Sequence, residues 1–282
     1  MNTMTNPEYT QSESVAQEYY NSSEADEFYF NIWGGEDIHI GMYDTPDSPI
    51  APASKKTVTF MSDRITGANS ETRLIDLGSG YGGAARYLHK KFGVHVSCLN
   101  ISEAQNARNR KFNSEQNLND WIGVTDGSFE KIPFKDSEFD IAWSQDALLH
   151  SSEKETVFKE IHRVLKQGGE LIFTDPMQAG GVKQEDLQPV LDRIHLESMG
   201  SFEFYQEVAQ KVGFETIEII DLSDHLGFHY SAVLKEVEKR YDEIVKISNQ
   251  AYIDKMKIGL NHWISAYKNG LLNWGVLRFK KV

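Results

Sequence analysis

The amino-acid sequence predicts an α/β fold, in which helices cover both faces of an open sheet. Short apolar segments with the composition of strands alternate with longer segments of helical periodicity over most of the chain. The first strand segment runs into a glycine-rich turn and then into a helix. At 282 residues, the chain is long enough for one large α/β domain with insertions, or for two modest domains.

Residues 1–53 are predicted to form an aromatic arm outside the main domain. Residues 1 to about 10 are polar and are expected to be disordered. From Gln11 onward, aromatic and aliphatic residues recur at helical spacing, and Asn21-Ser22-Ser23 offers a cap between two short helices. The loop from Trp33 to Gly41 combines aromatic, glycine, acidic and histidine residues. The arm either packs its rings onto the domain or forms a lid over a cationic ligand, and the sequence leaves both interpretations open.

Residues 54–282 are predicted to form the main domain. Ser54 should cap a helix that runs to about Thr66. Seven segments have the composition of strands: residues 74–77, 93–100, 121–128, 139–144, 170–176, 214–222 and 271–279. Helices are predicted from residue 84, over 103–116 and over 156–165. Helical insertions at about residues 180–212 and 226–270 precede strands six and seven, and the second contains one long helical stretch from about Tyr230 to Lys268.

The turn after the first strand is predicted to bind a cofactor. Gly78, Gly80 and Gly83 match the pattern G-x-G-x-x-G, in which glycines bring the N–H groups of a helix start close to a ligand. That pattern alone also fits NAD. Asp76 would crowd a pyrophosphate but suits a ligand with an ammonium group, so S-adenosylmethionine is favoured over NAD. A purely structural turn is the third interpretation.

Polar residues follow the next three strands, at the edge where open α/β sheets bind their ligands. Asn100 ends the second strand, where a carboxylate commonly holds ribose hydroxyls, and an amide can also donate to and accept from them. Asp126 could accept from an adenine amino group while Phe129 packs on the ring; the alternative is an ordinary turn. Three polar residues lie beyond the fourth strand: Gln145, Asp146 and His150.

Composition favours a small-molecule substrate in a cytoplasmic protein. The net charge of −13 would repel nucleic acid and anionic membranes, and no basic run reverses it locally. Cys98 is the only cysteine, which excludes an internal disulfide and a cysteine-rich metal site. No signal pattern and no long apolar segment is present, so we expect no membrane partner. The charge argues against a nucleic-acid partner, and we expect either a monomer or a homodimer.

Four segments carry a resemblance to known enzymes. Asp76-Leu77-Gly78-Ser79-Gly80, with the order of elements, resembles the S-adenosylmethionine-dependent methyltransferases, which implies a Rossmann-like seven-stranded methyltransferase sheet with an antiparallel last strand. Residues 29–43 and 144–150 resemble the sarcosine/dimethylglycine N-methyltransferases of glycine betaine synthesis, and more loosely the phosphoethanolamine N-methyltransferases. The segment 187–202 strengthens the first of these two. The resemblance covers roughly residues 15–282.

The residues and the resemblance together imply a set of site residues. Expected cofactor contacts are Asp76, Gly78, Ser79, Gly80, Asn100, Ile101, Gln105, Asp126, Gly127, Ser128, Phe129 and Gln145. In the phosphoethanolamine enzymes an arm tyrosine pairs with a histidine after the fourth strand, which implies Tyr20, or Tyr19 in a shifted alignment, with His150. Expected substrate contacts are Trp33, Ile38, His39, Trp143, Asp146, Arg193 and His195.

The implied reaction is methylation of sarcosine, N,N-dimethylglycine or both, with glycine betaine as the final product. His150 would remove the proton of the amine or position the amine. The alternative is a structural role, in which the histidine caps the turn after the fourth strand, and a uniform loss of activity across pH on its removal would favour that role. Aromatic faces of Tyr20, Trp33 and Trp143 would host the methylated nitrogen.

Arg193, with His195 nearby, is expected to hold the carboxylate, although an exposed helical arginine would also fit the sequence. The alternative substrates are phosphoethanolamine, which would call for several cations, and other small amines. An NAD-dependent dehydrogenase with His150 as acid/base and a non-catalytic nucleoside-binding protein are the remaining hypotheses.

Overall fold

The structure, a computed structural model, describes residues 9–194 and 196–282. The predicted substrate residue His195 and most of the polar start therefore lie outside the described residues. The sheet contains seven strands: β1 Arg73–Leu77, β2 His95–Asn100, β3 Ile122–Asp126, β4 Phe139–Gln145, β5 Leu165–Gln178, β6 Phe214–Asp221 and β7 Leu272–Lys281. The seven predicted strand segments are confirmed.

The strands are arranged in the order β3-β2-β1-β4-β5-β7-β6. β1 to β5 pair in parallel, and β7 lies antiparallel between β5 and β6. The predicted seven-stranded, Rossmann-like sheet with an antiparallel last strand is confirmed. Chain order reverses between β1 and β4, so the ends of these two strands flank the crevice in which such sheets bind ligands.

Eleven α-helices are described. They are α1 Gln11–Asn21, α2 Ser23–Phe28, α3 Ile50–Ser62, α4 Gly83–Phe92, α5 Glu103–Glu115, α6 Lys154–Val164, α7 Gln184–Ile194, α8 Phe202–Lys211, α9 Ser223–Lys239, α10 Tyr241–Ile247 and α11 Gln250–Lys268. A π-helical turn follows α2 over Tyr29–Gly34, and a 3₁₀ turn covers Leu148–His150. None of these helices is long and apolar enough to cross a membrane.

The two arm helices meet at the predicted cap, but the helix after the arm begins earlier than predicted. Ser22 accepts a hydrogen bond from the Ala25 N–H at 3.2 Å. α3 starts after Pro49, so Ser54 is not its cap; its hydroxyl instead donates to the carbonyl of His39. The predicted division at residue 53 therefore lies inside α3, and the arm as a separate element ends before Ile50.

The second insertion also differs from its prediction, because the stretch from Tyr230 to Lys268 is three helices rather than one. α9 begins at Ser223 and ends at Lys239, and α10 and α11 follow after short breaks. Alternating strand residues divide the main core into two layers. α3 and α4 pack on one face of the sheet and α6 and α8 on the other. A third apolar cluster lies between the arm, α7, α9 and α11.

The arm is fastened across the carboxyl edge of the sheet by polar contacts. Asp26 accepts hydrogen bonds from Arg108 and from the Tyr81 hydroxyl. Asn21 accepts from the Ser102 hydroxyl at 2.8 Å. These contacts join the arm to the loop after β1 and to α5, so the arm encloses the space above the strand ends.

Arg86 of α4 is the most buried cation in this region, with 2% of its surface exposed. It donates to the carboxylate of Glu36 at 2.9 Å, to the amide oxygens of Asn109 and Asn113, and to the carbonyl of Tyr81 at 2.6 Å. One side chain therefore satisfies acceptors from the arm loop, the cofactor turn and α5.

We expect Arg86→Met to destabilise the protein by about 3 kcal/mol, because the buried amide oxygens of Asn109 and Asn113 lose their donor. The control is Arg73→Met: that side chain is half exposed and pairs only with Glu138, so its removal should cost less than about 1 kcal/mol. Urea unfolding of both variants measures the difference. Equal losses would contradict the structural role given to Arg86.

Candidate active site

The cofactor turn has a backbone that only glycine adopts easily. Gly78 and Gly80 have φ values of +74° and +50°, and the Gly78 N–H donates to the carbonyl of Leu99 at 2.8 Å. A β-carbon on Gly78 would overlap with the side chain of Ala147. A β-carbon on Gly80 would lie 3.2 Å from Ile38 of the arm loop, so the turn and the arm leave a narrow gap between them.

A cavity of about 690 Å³ opens beside this turn. Among the predicted cofactor residues, it is lined by Gly78, Gly80, Asn100, Ile101, Gln105, Gly127, Ser128, Phe129 and Gln145. Tyr20, Ile38, Asp146 and His150 close its other side. The strand ends and the arm thus line one cavity beside the turn, at the sheet edge where such folds bind nucleotides.

A second, smaller cavity of about 320 Å³ continues from the turn and contains the acidic end of the site. Asp76 lines it with 3% of its surface exposed, and one carboxylate oxygen has no hydrogen-bond partner among the described residues. Burial raises the pKa of Asp76 to about 7, an effect opposed by His39. Ser79 also lines this cavity, and its hydroxyl has no hydrogen-bond partner in the described part of the chain. A ligand ammonium group would supply the missing donor and charge.

Two amides lie at the carboxyl end of β2, where sheets of this kind commonly hold a ribose. Asn100 donates from Nδ2 to the Gln105 side-chain oxygen at 2.9 Å, and the Nε2 of Gln105 has no partner among the described residues. The pair therefore offers the Asn100 oxygen as an acceptor and the Gln105 nitrogen as a donor, which matches two neighbouring hydroxyls. The orphaned atoms of Asp76, Ser79 and Gln105 fit the polar groups of S-adenosylmethionine.

The predicted role of Asp126 is not supported. Its side chain is exposed on the surface, where it accepts from Asn106 at 2.8 Å and from Arg110 at 2.5 Å, and it does not line the cavity. Both carboxylate oxygens are thus engaged by α5. The neighbours Gly127 and Ser128 face the cavity instead.

A third cavity, of about 430 Å³, shares Tyr20, Ile38, Asp146 and His150 with the first. Its wall is rich in aromatic rings: Tyr20, Tyr29, Trp33, Tyr230 and Trp263. The predicted residues Trp33, Ile38, His39, Asp146 and Arg193 all line it. Nothing in the local sequence distinguished Tyr230 or Trp263, because the long insertion that holds them has no recognisable motif.

Trp143, expected to contact the substrate, does not line the aromatic cavity. It is fully buried in the layer of the core that α3 and α4 cover, and its indole N–H donates to the side-chain oxygen of Gln145 at 3.1 Å. Its ring therefore cannot host a substrate in the aromatic cavity. Through Gln145 it orients one predicted cofactor contact.

Arg193 of α7 enters the aromatic cavity without a counter-ion. Among the described residues, its buried Nε atom has no hydrogen-bond partner and no carboxylate pairs with the guanidinium. The groups that surround it are tyrosines: Tyr19, Tyr29, Tyr230 and Tyr252. A buried, unpaired cation is costly, so this arrangement indicates a place for a ligand anion.

Tyr20 and His150 form the predicted pair. The Tyr20 hydroxyl lies 2.9 Å from Nε2 of His150, at the boundary between the nucleoside cavity and the aromatic cavity. Burial and the charge of Lys154 lower the pKa of His150 to about 4, so the imidazole is neutral at pH 7. The hydroxyl of Tyr19, by contrast, lies 3.1 Å from that of Tyr29, away from His150.

Asp146 connects the arm loop to the sheet. It has a φ of +52°, unusual for a non-glycine residue and typical of functional sites. Its carboxylate accepts from the N–H of Ile40 at 2.6 Å and from the indole N–H of Trp274 at 2.8 Å. The loop that carries Ile38 and His39 is thereby held between the acidic cavity and the aromatic cavity.

The turn that bears His150 is held from below by a buried polar group. Asp175 accepts from the N–H of Leu149 at 3.2 Å and from the Tyr205 hydroxyl. Lys154 donates to the carbonyl of Ser151 at 2.7 Å. Asp175 and Lys154 thus fix the 3₁₀ turn, although neither residue lines any of the three cavities.

Three features together define an S-adenosylmethionine-dependent methyltransferase: a nucleoside cavity at a glycine turn, an acidic pocket for an ammonium group and an adjoining aromatic cavity. The comparisons agree, because residues 75–173 match the family described as "Methyltransferase domain". A more distant chain of the same fold, phosphoethanolamine N-methyltransferase 2 of Haemonchus contortus, was solved with phosphomonomethylethanolamine and S-adenosylhomocysteine. It is 18% identical with a TM-score of 0.83, and the match covers 98% of this chain and 61% of that one.

Closer relatives give the family. The sarcosine/dimethylglycine N-methyltransferase of Aphanothece halophytica is 50% identical over 94% of this chain and 96% of its own. A crystal structure from Galdieria sulphuraria, assigned as a sarcosine dimethylglycine methyltransferase, is 43% identical with a TM-score of 0.88 over 93% of this chain and 98% of that one. The chain belongs to the sarcosine/dimethylglycine N-methyltransferase family. The predictions of a methyltransferase and of S-adenosylmethionine as its cofactor are confirmed, and the dehydrogenase and non-catalytic hypotheses are set aside.

We expect Gly80→Val to abolish binding of S-adenosylhomocysteine while the protein stays folded, because the added side chain fills the gap to Ile38 that the ligand needs. Gly181→Val is the matched control: Gly181 also has a positive φ, +74°, but a β-carbon there meets nothing within 4 Å. Isothermal titration should show normal binding only for the control. Normal binding by Gly80→Val would contradict this position of the cofactor.

Proposed function

We propose that the enzyme transfers methyl groups from S-adenosylmethionine to the nitrogen of sarcosine and N,N-dimethylglycine, with glycine betaine as the final product. The observation that supports this most strongly is the unpaired guanidinium of Arg193 in an aromatic cavity that adjoins the cofactor cavity. An amino acid with a methylated nitrogen carries both a carboxylate for the guanidinium and a nitrogen for the rings.

The single cation distinguishes between candidate anions. Arg193 can form paired hydrogen bonds with one carboxylate, which has the planar geometry that a guanidinium matches. A phosphate dianion calls for several cations, and Arg193 is the only arginine or lysine that lines the aromatic cavity among the described residues. The cavity therefore favours a monocarboxylate over phosphoethanolamine.

The aromatic wall suits the nitrogen end. As the methyl group is transferred, positive charge develops on the amine, and the rings of Tyr20, Trp33 and Tyr230 present their faces or edges to the same cavity. A cation–π contact contributes roughly 0.5 to 2 kcal/mol, and it applies to the transition state and to a trimethylammonium product. The trimethylammonium group needs no hydrogen-bond acceptor, so an apolar wall does not penalise it.

The protein contributes alignment and exclusion of water. The cofactor supplies an activated methyl group on sulfur, and the amine attacks in line with the leaving thioether. Ile38 and His39, which line both the acidic and the aromatic cavity, place the boundary between cofactor and amine. Holding the two reactants in an attack geometry can contribute several kcal/mol. The closed arm keeps water from the charge that is shared between sulfur and nitrogen.

We assign His150 to positioning rather than to removal of a proton. Its pKa of about 4 lies far below that of an alkylamine. Direct proton transfer from an amine of pKa about 10 would cross roughly 6 pKa units, or about 8 kcal/mol. The neutral imidazole can instead accept the hydrogen bond of the Tyr20 hydroxyl and hold that ring against the amine. The amine then reacts in its neutral form, after losing its proton to solvent.

We also infer that the enzyme acts in the cytoplasm as a monomer or homodimer. The buried single cysteine and the acidic composition support this location. The described surface carries only scattered exposed apolar side chains, such as Ile258 and Trp121.

We expect Arg193→Met to raise the KM for N,N-dimethylglycine about a hundredfold, because the carboxylate loses its charged partner. Affinity for S-adenosylhomocysteine should not change, since Arg193 does not line the nucleoside cavity. Arg193→Lys is the control for charge and should have an intermediate KM. An unchanged KM in the methionine variant would contradict the proposed carboxylate site.

A panel of amines, read by product mass, tests the proposed activity itself. Sarcosine should gain up to two methyl groups and N,N-dimethylglycine one. Methylation of phosphoethanolamine, with none of the two amino acids, would overturn the substrate assignment but not the fold or the cofactor.

We expect Tyr20→Phe and His150→Ala each to lower kcat by roughly tenfold to a hundredfold, because either change frees the Tyr20 ring. The loss should be the same at every pH from 6 to 9, since the folded pKa of His150 lies below this range and its charge does not change within it. The double variant should be no worse than either single variant. A loss concentrated at low pH would show that His150 removes the proton.

A further inference from the structure

Gly259 lies in the middle of α11, where glycine is normally unfavourable. A glycine inside a helix costs about 0.5 to 1 kcal/mol relative to alanine. The residue is buried, and its backbone is not in the left-handed region, so an alanine could adopt the same conformation. The reason for glycine at this position must therefore be space.

The space beside Gly259 is taken by Arg193. A β-carbon on Gly259 would overlap with Cδ of Arg193 and would lie 2.6 Å from its Nε and 3.0 Å from its Cγ. These atoms lie in the middle of the arginine side chain. A small movement of the guanidinium alone would therefore not relieve the overlap. Only glycine at residue 259 lets the side chain run along the surface of α11.

Met256 completes this surface. It is buried, and its sulfur lies 3.9 Å from Nη2 of Arg193. Met256, Gly259 and Trp263 are spaced by three and four residues, so they share one face of the helix. Trp263 on that face lines the aromatic cavity. The face is apolar, so it supports the guanidinium without neutralising its charge.

We propose that Met256 and Gly259 form a neutral seat for Arg193, and that both are positioning residues for the carboxylate of the substrate. The seat fixes the direction of the guanidinium and leaves its charge available. This inference rests on the proposed function, because it assumes that Arg193 binds the carboxylate.

The first test is Gly259→Ala in the full-length enzyme. The KM for N,N-dimethylglycine should rise about tenfold, while kcat at saturation and the affinity for S-adenosylhomocysteine stay within about twofold. In the Arg193→Met background the same change should add nothing, because the displaced group is absent. Ile258→Ala, at an exposed neighbouring position, is the control for general effects on α11.

The second test does not depend on how the alanine variant folds. Met256→Glu places a carboxylate beside the guanidinium, and Met256→Gln has the same shape without the charge. The glutamate variant should raise the KM at least about tenfold over the glutamine variant, because an internal carboxylate competes with that of the substrate. Cofactor affinity should be equal in the two variants.

The outcomes separate the two proposals. If Arg193→Met raises the KM but Gly259→Ala leaves it unchanged, or Met256→Glu behaves like Met256→Gln, the seat is wrong and the proposed function stands. A rise with Gly259→Ala that persists in the Arg193→Met background would also overturn the seat. If Arg193→Met has no effect on the KM, the carboxylate site fails, and the seat fails with it.

Discussion

A guanidinium that is buried without a carboxylate is unfavourable unless a ligand supplies the missing charge, and several elements of this chain are arranged around one. The arm contributes Tyr19 and Tyr29, α9 contributes Tyr230, and α11 contributes Tyr252 to the surroundings of Arg193. Their hydroxyls are neutral, since burial raises their pKa values further above the usual range. The protein thus surrounds the cation with polar groups that do not cancel its charge.

The two halves of the site are joined by the arm. Ile38 lines the nucleoside, acidic and aromatic cavities, and Asp146 holds the loop that carries it through the N–H of Ile40. The arm therefore completes the walls for the cofactor and for the amine together. Burial beneath the arm lowers the pKa of His150, which suits a hydrogen-bond acceptor better than a base.

The cofactor half of the site could be predicted from the sequence because local backbone geometry determines it. The glycine turn needs positive φ values, and residues at the ends of parallel strands meet at one edge. Asp126 does not line the cavity in spite of this, since a strand end does not show which neighbour its side chain will bind, and Asn106 and Arg110 of α5 donate to its two carboxylate oxygens. Trp143 lies in the core rather than in the aromatic cavity, and only the register of β4 shows which face of the sheet each residue joins.

The substrate half depends on contacts between distant segments, and these have no local pattern. Arg193 could be proposed as a cation, but its lack of a carboxylate partner among the described residues follows from the packing of α7 against α11. Trp263 and Gly259 looked like ordinary residues of a long helix, and their roles are visible only beside Arg193.

The central claim is that Arg193 binds substrate by its carboxylate, and a neutral isostere tests it most directly. N,N-Dimethylglycinamide has the shape of N,N-dimethylglycine but no negative charge, and its amine is less basic and so more often unprotonated. The measurement is the ratio of kcat/KM for the acid to that for the amide, in the wild type and in Arg193→Met. We predict a ratio of about 100 or more in the wild type, falling to within about threefold of unity in the variant. Equal use of acid and amide by the wild type would contradict the account.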